Sequence, residues 1–181
     1  MNAIERMEVD KLNLILTDTR LPGIGENPEI EVIDVTQRCI SNCTGCFGCW
    51  TKTPGICVIN DDARSICDQV ARCERLMVVS RLMLGCYALP MKRMLERLLP
   101  YQQPFFRIRA GETLHVQRYD RRMRLDVVVY GGVDAGEEEL FKRWLARNVL
   151  NMAVRDYGVA FAHTADEACQ LAQKVVSEWA N

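Results

Sequence analysis

Short apolar runs alternate with helical patterns along this chain, and that alternation constrains its fold more than any other feature. It is the signature of a parallel sheet flanked by helices. Five runs read as strands: Leu12–Thr17, Ile30–Val35, Leu76–Ser80, Leu125–Tyr130 and Gly158–Ala162. A first helix is expected from about Asp61 to Cys73, capped by Asn60 or Asp61, with Ile66 and Val70 one turn apart. A second is expected around Ala88–Leu99, where Pro90 is tolerated because it falls in the first turn. The third, Glu137 to about Val154, repeats Leu140, Phe141, Trp144, Leu145, Val149 and Met152 as a core-facing stripe. The last opens on Thr164-Ala165-Asp166-Glu167, a capping box, and runs through Leu171, Val175 and Trp179. A length of 181 residues fits one domain, 1–181.

Two segments depart from a regular strand–helix succession. Asp18 to Glu29 carries two prolines and two glycines and cannot hold a useful helix, although a parallel strand pair normally needs a helical crossover. The first crossover therefore lacks its helix. In both flanking strands apolar and polar residues partly alternate, whereas Leu76–Val79 and Val127–Val129 are apolar on both faces. One sheet face there is expected to be shielded by the N-terminal segment or a second subunit. The other departure is Tyr101 to Arg124, where alternating residues around Ala110-Gly111 read as an inserted hairpin before the fourth strand, lying over an edge or against a second subunit.

A net charge of −1 with 26% charged residues gives no bulk attraction to nucleic acid or anionic membrane. Met1 to Lys11 is charged and holds no apolar stretch, so neither a signal peptide nor a membrane span is expected and the chain is placed in the cytoplasm. In that reducing setting nine cysteines, an odd number, point to thiols or thiolates rather than disulfides.

Cys43, Cys46 and Cys49 stand at two-residue gaps, and Cys57 follows after seven. Four thiols so close in sequence can converge on one small volume, as a thiolate-ligated centre requires. Ligands at i, i+3 and i+6 suit an irregular loop wrapped round a [4Fe–4S] cubane, with Gly45 and Gly48 relieving backbone crowding. Zinc accepts four thiolates but more often uses two separated pairs. Loop packing without metal, or an oxidised thiol cluster, stands next to the cubane and ahead of zinc, because a free cysteine is a good small hydrophobe. Cys39, four residues before Cys43, could replace a ligand or form a disulfide after oxidation. Cys67, Cys73, Cys86 and Cys169 fall in or beside helices and read as structural.

These residues resemble the flavodoxin-like NAD(P)H-dependent FMN reductases and, among them, the iron–sulfur flavoproteins. The resemblance is best from Cys43 to Arg97. Cys43-Thr44-Gly45-Cys46-Phe47-Gly48-Cys49 with Cys57 is similar to the family's compact four-cysteine segment, and Ile59-Asn60-Asp61-Asp62 to the acidic pair opening its next helix. Ser80-Arg81-Leu82-Met83-Leu84-Gly85 stands where the family has its S-P-V-Y-F-G flavin loop, and Lys92 to Arg97 where it has K-x-F-x-D-R. The resemblance implies a three-layer sandwich with a five-stranded parallel sheet in order 2-1-3-4-5. It implies FMN at the C-terminal strand ends, a cluster on the cysteines, and electrons from reduced nicotinamide or ferredoxin, in a homo-oligomer. Thr17, Thr19 and Arg20 would donate to the flavin phosphate, and Gly131-Gly132 would permit close approach to the ring.

The departures from that pattern are specific. The loop after the first strand has no helix behind it and carries Asp18, a carboxylate that would repel phosphate. The loop's proline and tyrosine are Arg81 and Met83, so an aromatic flavin wall would have to come from Tyr87. Gly23-Ile24-Gly25 imitates a dinucleotide fingerprint but reads as a turn. Arg107, Arg109, Arg118, Arg121, Arg122 and Arg124 read as a solvated hairpin face. With only His115 and His163, and no G-x-S-x-G elbow or P-loop, chemistry is expected from a cofactor. Two functions follow: an FMN oxidoreductase with a possible cluster, or a flavin-free flavodoxin-like protein working as a metal-bearing or thiol-based binding or sensing module.

Overall fold

The computed structural model describes residues 12–120, 122–131 and 134–179. Its strands are β1 Asn13–Thr17, β2 Ile30–Asp34, β3 Arg75–Met83, β4 Cys86–Tyr87, β5 Gln102–Arg109, β6 Glu112–Gln117, β7 Arg124–Tyr130 and β8 Asp156–Ala162. Its helices are α1 Gly48–Thr51, α2 Asp62–Arg72, α3 Leu89–Glu96, α4 Ala135–Asn151 and α5 Ala165–Trp179. Five strands form a parallel sheet in order β2-β1-β3-β7-β8, which is the expected 2-1-3-4-5 arrangement once the short β4 and the hairpin are set aside. Asn13 stands opposite both Ile30 and Arg75, and Arg75 opposite Arg124, so the strands start level.

Helix ends follow their capping residues. The Asp61 carboxylate accepts from the Ala63 N–H at 3.2 Å and starts α2, with Asp62 in the first turn and Arg72 in the last complementing the helix dipole. Asp134 does the same for α4 through the Glu137 N–H at 2.8 Å. At α5 the Thr164 hydroxyl accepts from the Glu167 N–H at 3.1 Å, while the Glu167 carboxylate reaches the His163 N–H at 2.7 Å, one residue before the expected partner.

Two cores lie on opposite faces of the sheet. Leu14, Leu16, Leu76, Val78, Val127 and Val129 meet α2, α3 and α4 on one side. On the other, Ile15, Met77, Val79 and Val128 meet α5 alone among the helices. No helix forms between β1 and β2; instead Leu21 and Ile24 of that loop turn inward and are buried in the same core as α5. The Gln173 amide donates to the Pro22 carbonyl at 3.0 Å and ties the loop to α5. Among the described residues, this loop and α5 are what cover the face expected to need outside shielding. The N-terminal segment expected to cover it lies outside the described residues.

The hairpin β5–β6 turns at Ala110 and Gly111, both with positive φ (53° and 78°), as a two-residue hairpin loop requires. It forms its own sheet and docks across the end of α4 rather than over an edge of the main sheet. Asn151 accepts from the His115 N–H at 3.0 Å and, through its carbonyl, from the Gln117 amide at 2.5 Å. Among the described residues no helix is long and apolar enough to cross a membrane.

Candidate functional site

The loop between β2 and α2 carries the cysteine run. Gly45 (φ 64°) and Phe47 (φ 55°) are both left-handed, and these two reversals wind the loop before the single turn of α1. Gly48 has no room for a side chain: a Cβ there would stand 2.5 Å from Val58. The return is fixed by the Gly55 N–H on the Cys49 carbonyl at 3.0 Å and the Ile56 N–H on the Thr53 carbonyl at 2.8 Å. As a result Cys43, Cys46, Cys49 and Cys57 line one small cavity, closed by Phe47, Ile59, Arg97 and Leu99. All four are free thiols, as are Cys39, Cys67, Cys73, Cys86 and Cys169. Cys39 is exposed and Cys67, Cys73 and Cys169 are buried away in the packed elements.

Arg97 holds this loop. Its guanidinium is buried and donates to both oxygens of Asp61, at 2.7 and 2.9 Å, to the Ser41 carbonyl at 2.8 Å and to the Cys57 sulfur at 3.4 Å. Asp61 also accepts from the Ser41 N–H at 2.9 Å, so one ion pair joins both ends of the cysteine loop to α2 and α3. Burial alone would raise the Asp61 carboxyl, but its hydrogen bonds from Arg97 and Ser41 bring it below the usual carboxylate value. Trp50 performs the second attachment: its indole N–H reaches the carbonyls of Gln102 (3.0 Å) and Leu99 (3.3 Å), and its ring stands 5.2 Å from both Phe47 and His115.

The thiols differ in reactivity. Exposed Cys46 has its thiol lowered by the Gly48 backbone N–H and then by Thr44. Burial, and then the neighbouring Cys57, raises Cys49, and burial pushes Cys67 up to about 12. In metal-free protein, timed alkylation with iodoacetamide at pH 8 followed by peptide mapping is expected to label Cys46 first and Cys67 last.

Among the described residues, no three His, Cys, Asp or Glu side chains are placed to hold one metal ion. The four cysteines line one small cavity, and a zinc site would draw their thiolates to about 2.3 Å of a centre. Arg97 Nε, buried beside the cavity, has no acceptor, and a cluster sulfide or thiolate would supply one.

The strand ends that the resemblance assigns to FMN are arranged differently. Asp18, directly after β1, accepts from the Ser80 hydroxyl at 2.6 Å, from the Arg81 N–H at 3.2 Å and from the Tyr130 hydroxyl at 3.1 Å. Thr17 and Thr19 satisfy each other: the Thr17 hydroxyl donates to the Thr19 carbonyl at 2.9 Å and accepts from the Thr19 N–H at 3.1 Å. Arg20 is exposed. The Ser80, Arg81 and Tyr130 donors at this switch point are therefore turned to an internal carboxylate, Thr17 and Thr19 are turned to each other, and no helix N-terminus stands behind β1. A carboxylate at this point would repel a flavin phosphate, and among the described residues exposed Arg20 is the donor there that bonds no neighbour in the loop.

The second loop is closed as well. Leu82 and Met83 pair with Tyr87 and Cys86, and Leu84 (φ 53°) and Gly85 (φ 70°) make the tight turn between them. Leu82 is buried in the core. Tyr87 points inward, edge-on to Phe141 at 5.1 Å and Trp144 at 5.4 Å, and burial raises its phenol. Gly131 (φ 132°) lies beside Arg81, and Gly132 and Arg121 fall outside the described residues.

Burial raises the Asp18 carboxyl above its ordinary value of 3.8, and burial followed by the Asp18 charge pushes Tyr130 up to about 12. A raised carboxyl favours folding fully below pH 3.8 and loses that contribution as pH rises through its folded value. Asp18→Asn removes this dependence. Urea midpoints of the variant relative to wild type are expected to rise from about pH 3.8 upward and to level off once Asp18 has ionised in the folded protein.

No protein-family model matches this chain, and no curated protein matches it. Among solved structures it is similar to an FMN-dependent NADH-azoreductase from Bacillus anthracis str. Ames Ancestor, solved in complex with FMN. The identity is 14% and the TM-score 0.59, over 94% of this chain and 97% of that one. It is also similar to the azoreductase of Bacillus anthracis str. Sterne, at 10% identity and a TM-score of 0.60, over 94% and 99% of the two chains. At these identities the likeness is one of fold, and it establishes the flavodoxin-like sandwich.

Proposed function

We propose that this protein is a flavin-free, flavodoxin-like redox protein whose working group is a [4Fe–4S] cluster held by Cys43, Cys46, Cys49 and Cys57. The observation that carries this reading is the convergence of those four thiols on one cavity, while at the strand ends an internal carboxylate, Asp18, takes the bonds of Ser80, Arg81 and Tyr130 where a flavin phosphate would sit. When bound, such a cluster supplies one-electron transfer. The protein's own part is to fix the loop through Gly45 and Phe47, to bring the Arg97 cation against Cys57, and to cover the cavity with Phe47 and Leu99. Reduced nicotinamide delivers a hydride, which a lone one-electron centre does not accept, so the exchange partner is another redox protein.

The azoreductase with FMN bound shares the sheet but enters this reading only as a fold. Phe105, Phe106 and Ile108 on β5 are each at least 65% exposed and supply the surface on which a second copy pairs. Sedimentation at the dimer mass checks that pairing; a monomer at every concentration would count against it.

The cysteine assignment is tested by single replacement. In anaerobically prepared protein, Cys49→Ser is expected to lose the broad brown absorption and the bound iron, while Cys169→Ser retains both. Equal iron in the two variants would refute the ligand set.

A further inference from the structure

A second cavity lies outside both sites. It has a volume of about 350 Å³ and a floor of Leu76, Val78 and Leu125, on the α3–α4 side of the sheet. That is within the roughly 300–1,000 Å³ of sites that enclose small molecules. Its origin is in the sequence. Helix α3 stops at Glu96 after 8 residues, Arg97 turns in to the cysteine loop, and Leu99–Tyr101 forms a 3-10 turn whose Pro100 cannot extend the helix. The end of α3 and the second half of α4, a helix of 17 residues, face each other across the floor, and the start of the hairpin forms the end wall.

We propose that this cavity binds an uncharged, planar aromatic molecule. Tyr87, Tyr101 and Trp144 offer three aromatic rings in its wall, the composition that favours a flat apolar guest. Among the described residues, the only ionic groups in the lining, Lys92 and Glu96, pair with each other one helical turn apart, so neither charge is left over to recognise an ion. Asn148 and Asn151 on α4 and Gln102 on β5 can meet one or two polar substituents. Leu99 lines this cavity and the cysteine cavity, so a guest sits one side chain from the four thiols. The site stands on the lining alone and does not depend on the cluster reading.

The test titrates N-phenyl-1-naphthylamine, a neutral aromatic dye that brightens in apolar surroundings, into the full chain. Wild type is expected to give saturable enhancement with energy transfer from Trp144. Trp144→Phe retains dye binding but loses most of that transfer. Asn148→Phe fills the cavity and is expected to weaken binding at least tenfold, while Arg143→Phe, on the exposed face of the same helix, leaves it unchanged. Equal binding in wild type and Asn148→Phe, binding abolished by Phe106→Asp on the hairpin, or no saturable signal at all would each overturn the proposal. Should Asn148→Phe not fold, the Trp144 transfer alone decides. The same titration on a Cys43→Ser, Cys57→Ser variant is expected to be unchanged, which separates this site from the cysteine assignment.

Discussion

Arg97→Ala is expected to destabilise the protein by about 3–5 kcal/mol, because it leaves the buried Asp61 carboxylate without its cation. Arg97 and Asp61 are 1% and 6% exposed, so water cannot take over the lost partner. The loss has a pH signature. A carboxyl lowered in the folded state contributes stability that is present above its ordinary value of 3.8 and is lost as pH falls through the folded value. Urea unfolding of the variant should therefore show a flatter acid limb than wild type below pH 4, besides a lower midpoint at pH 7. Arg97→Lys restores a charge but cannot reach Asp61, Ser41 and Cys57 together, so it is expected to recover only part of the loss. A midpoint within experimental error of wild type for Arg97→Ala would show that the pair does not hold the loop.

Trp50→Ala is expected to cost about 3 kcal/mol, near the lower end of large-aromatic truncations, since the side chain is only partly buried. Its indole is what both the cysteine loop and the hairpin share: Phe47 stacks on one side, His115 leans on the other, and the N–H is taken by two carbonyls next to the hairpin. Trp50→Phe keeps ring contact and loses the N–H bonds, with an expected cost of about 1 kcal/mol. Hydrogen exchange distinguishes the local consequence: in Trp50→Ala the β5–β6 amides and those of residues 43–57 should lose protection together. Loss in one segment alone would show that the two are not coupled through this residue.

Much of the fold is legible in the sequence for simple reasons. Val127, Val128 and Val129 are buried on both faces and read as a continuous apolar run; Asp61 and Thr164 announce helix starts; the prolines and glycines of residues 18–29 forbid a helix. What replaces that helix was not legible, because nothing local to Leu21 and Ile24 distinguishes loop apolar residues that turn inward from those that face solvent. The same limit applies to the hairpin, whose alternation marks two strands but not the end of α4 as their support.

The candidate site divides in the same way. Cysteine spacing brings Cys43, Cys46, Cys49 and Cys57 into view because all four sit within one loop. Arg97 was visible as the last residue of the segment that stands where the family has K-x-F-x-D-R, yet its inward turn to Asp61 and Cys57 depends on a contact 36 residues away with the first and 40 with the second. Asp18 was legible as a carboxylate where phosphate would sit, but its bond to Tyr130 spans 112 residues. Tyr87 follows a loop that resembles a flavin wall, and only the two-residue β4 explains why it faces Phe141 and Trp144 instead.

The most direct measurement is the absorbance spectrum of protein purified without oxygen, with iron, acid-labile sulfide and flavin assayed on the same sample after incubation with excess FMN and gel filtration. The account predicts broad brown absorption, iron and sulfide in equal amounts, and no retained flavin. Stoichiometric FMN with its two resolved bands, and no iron, would contradict it.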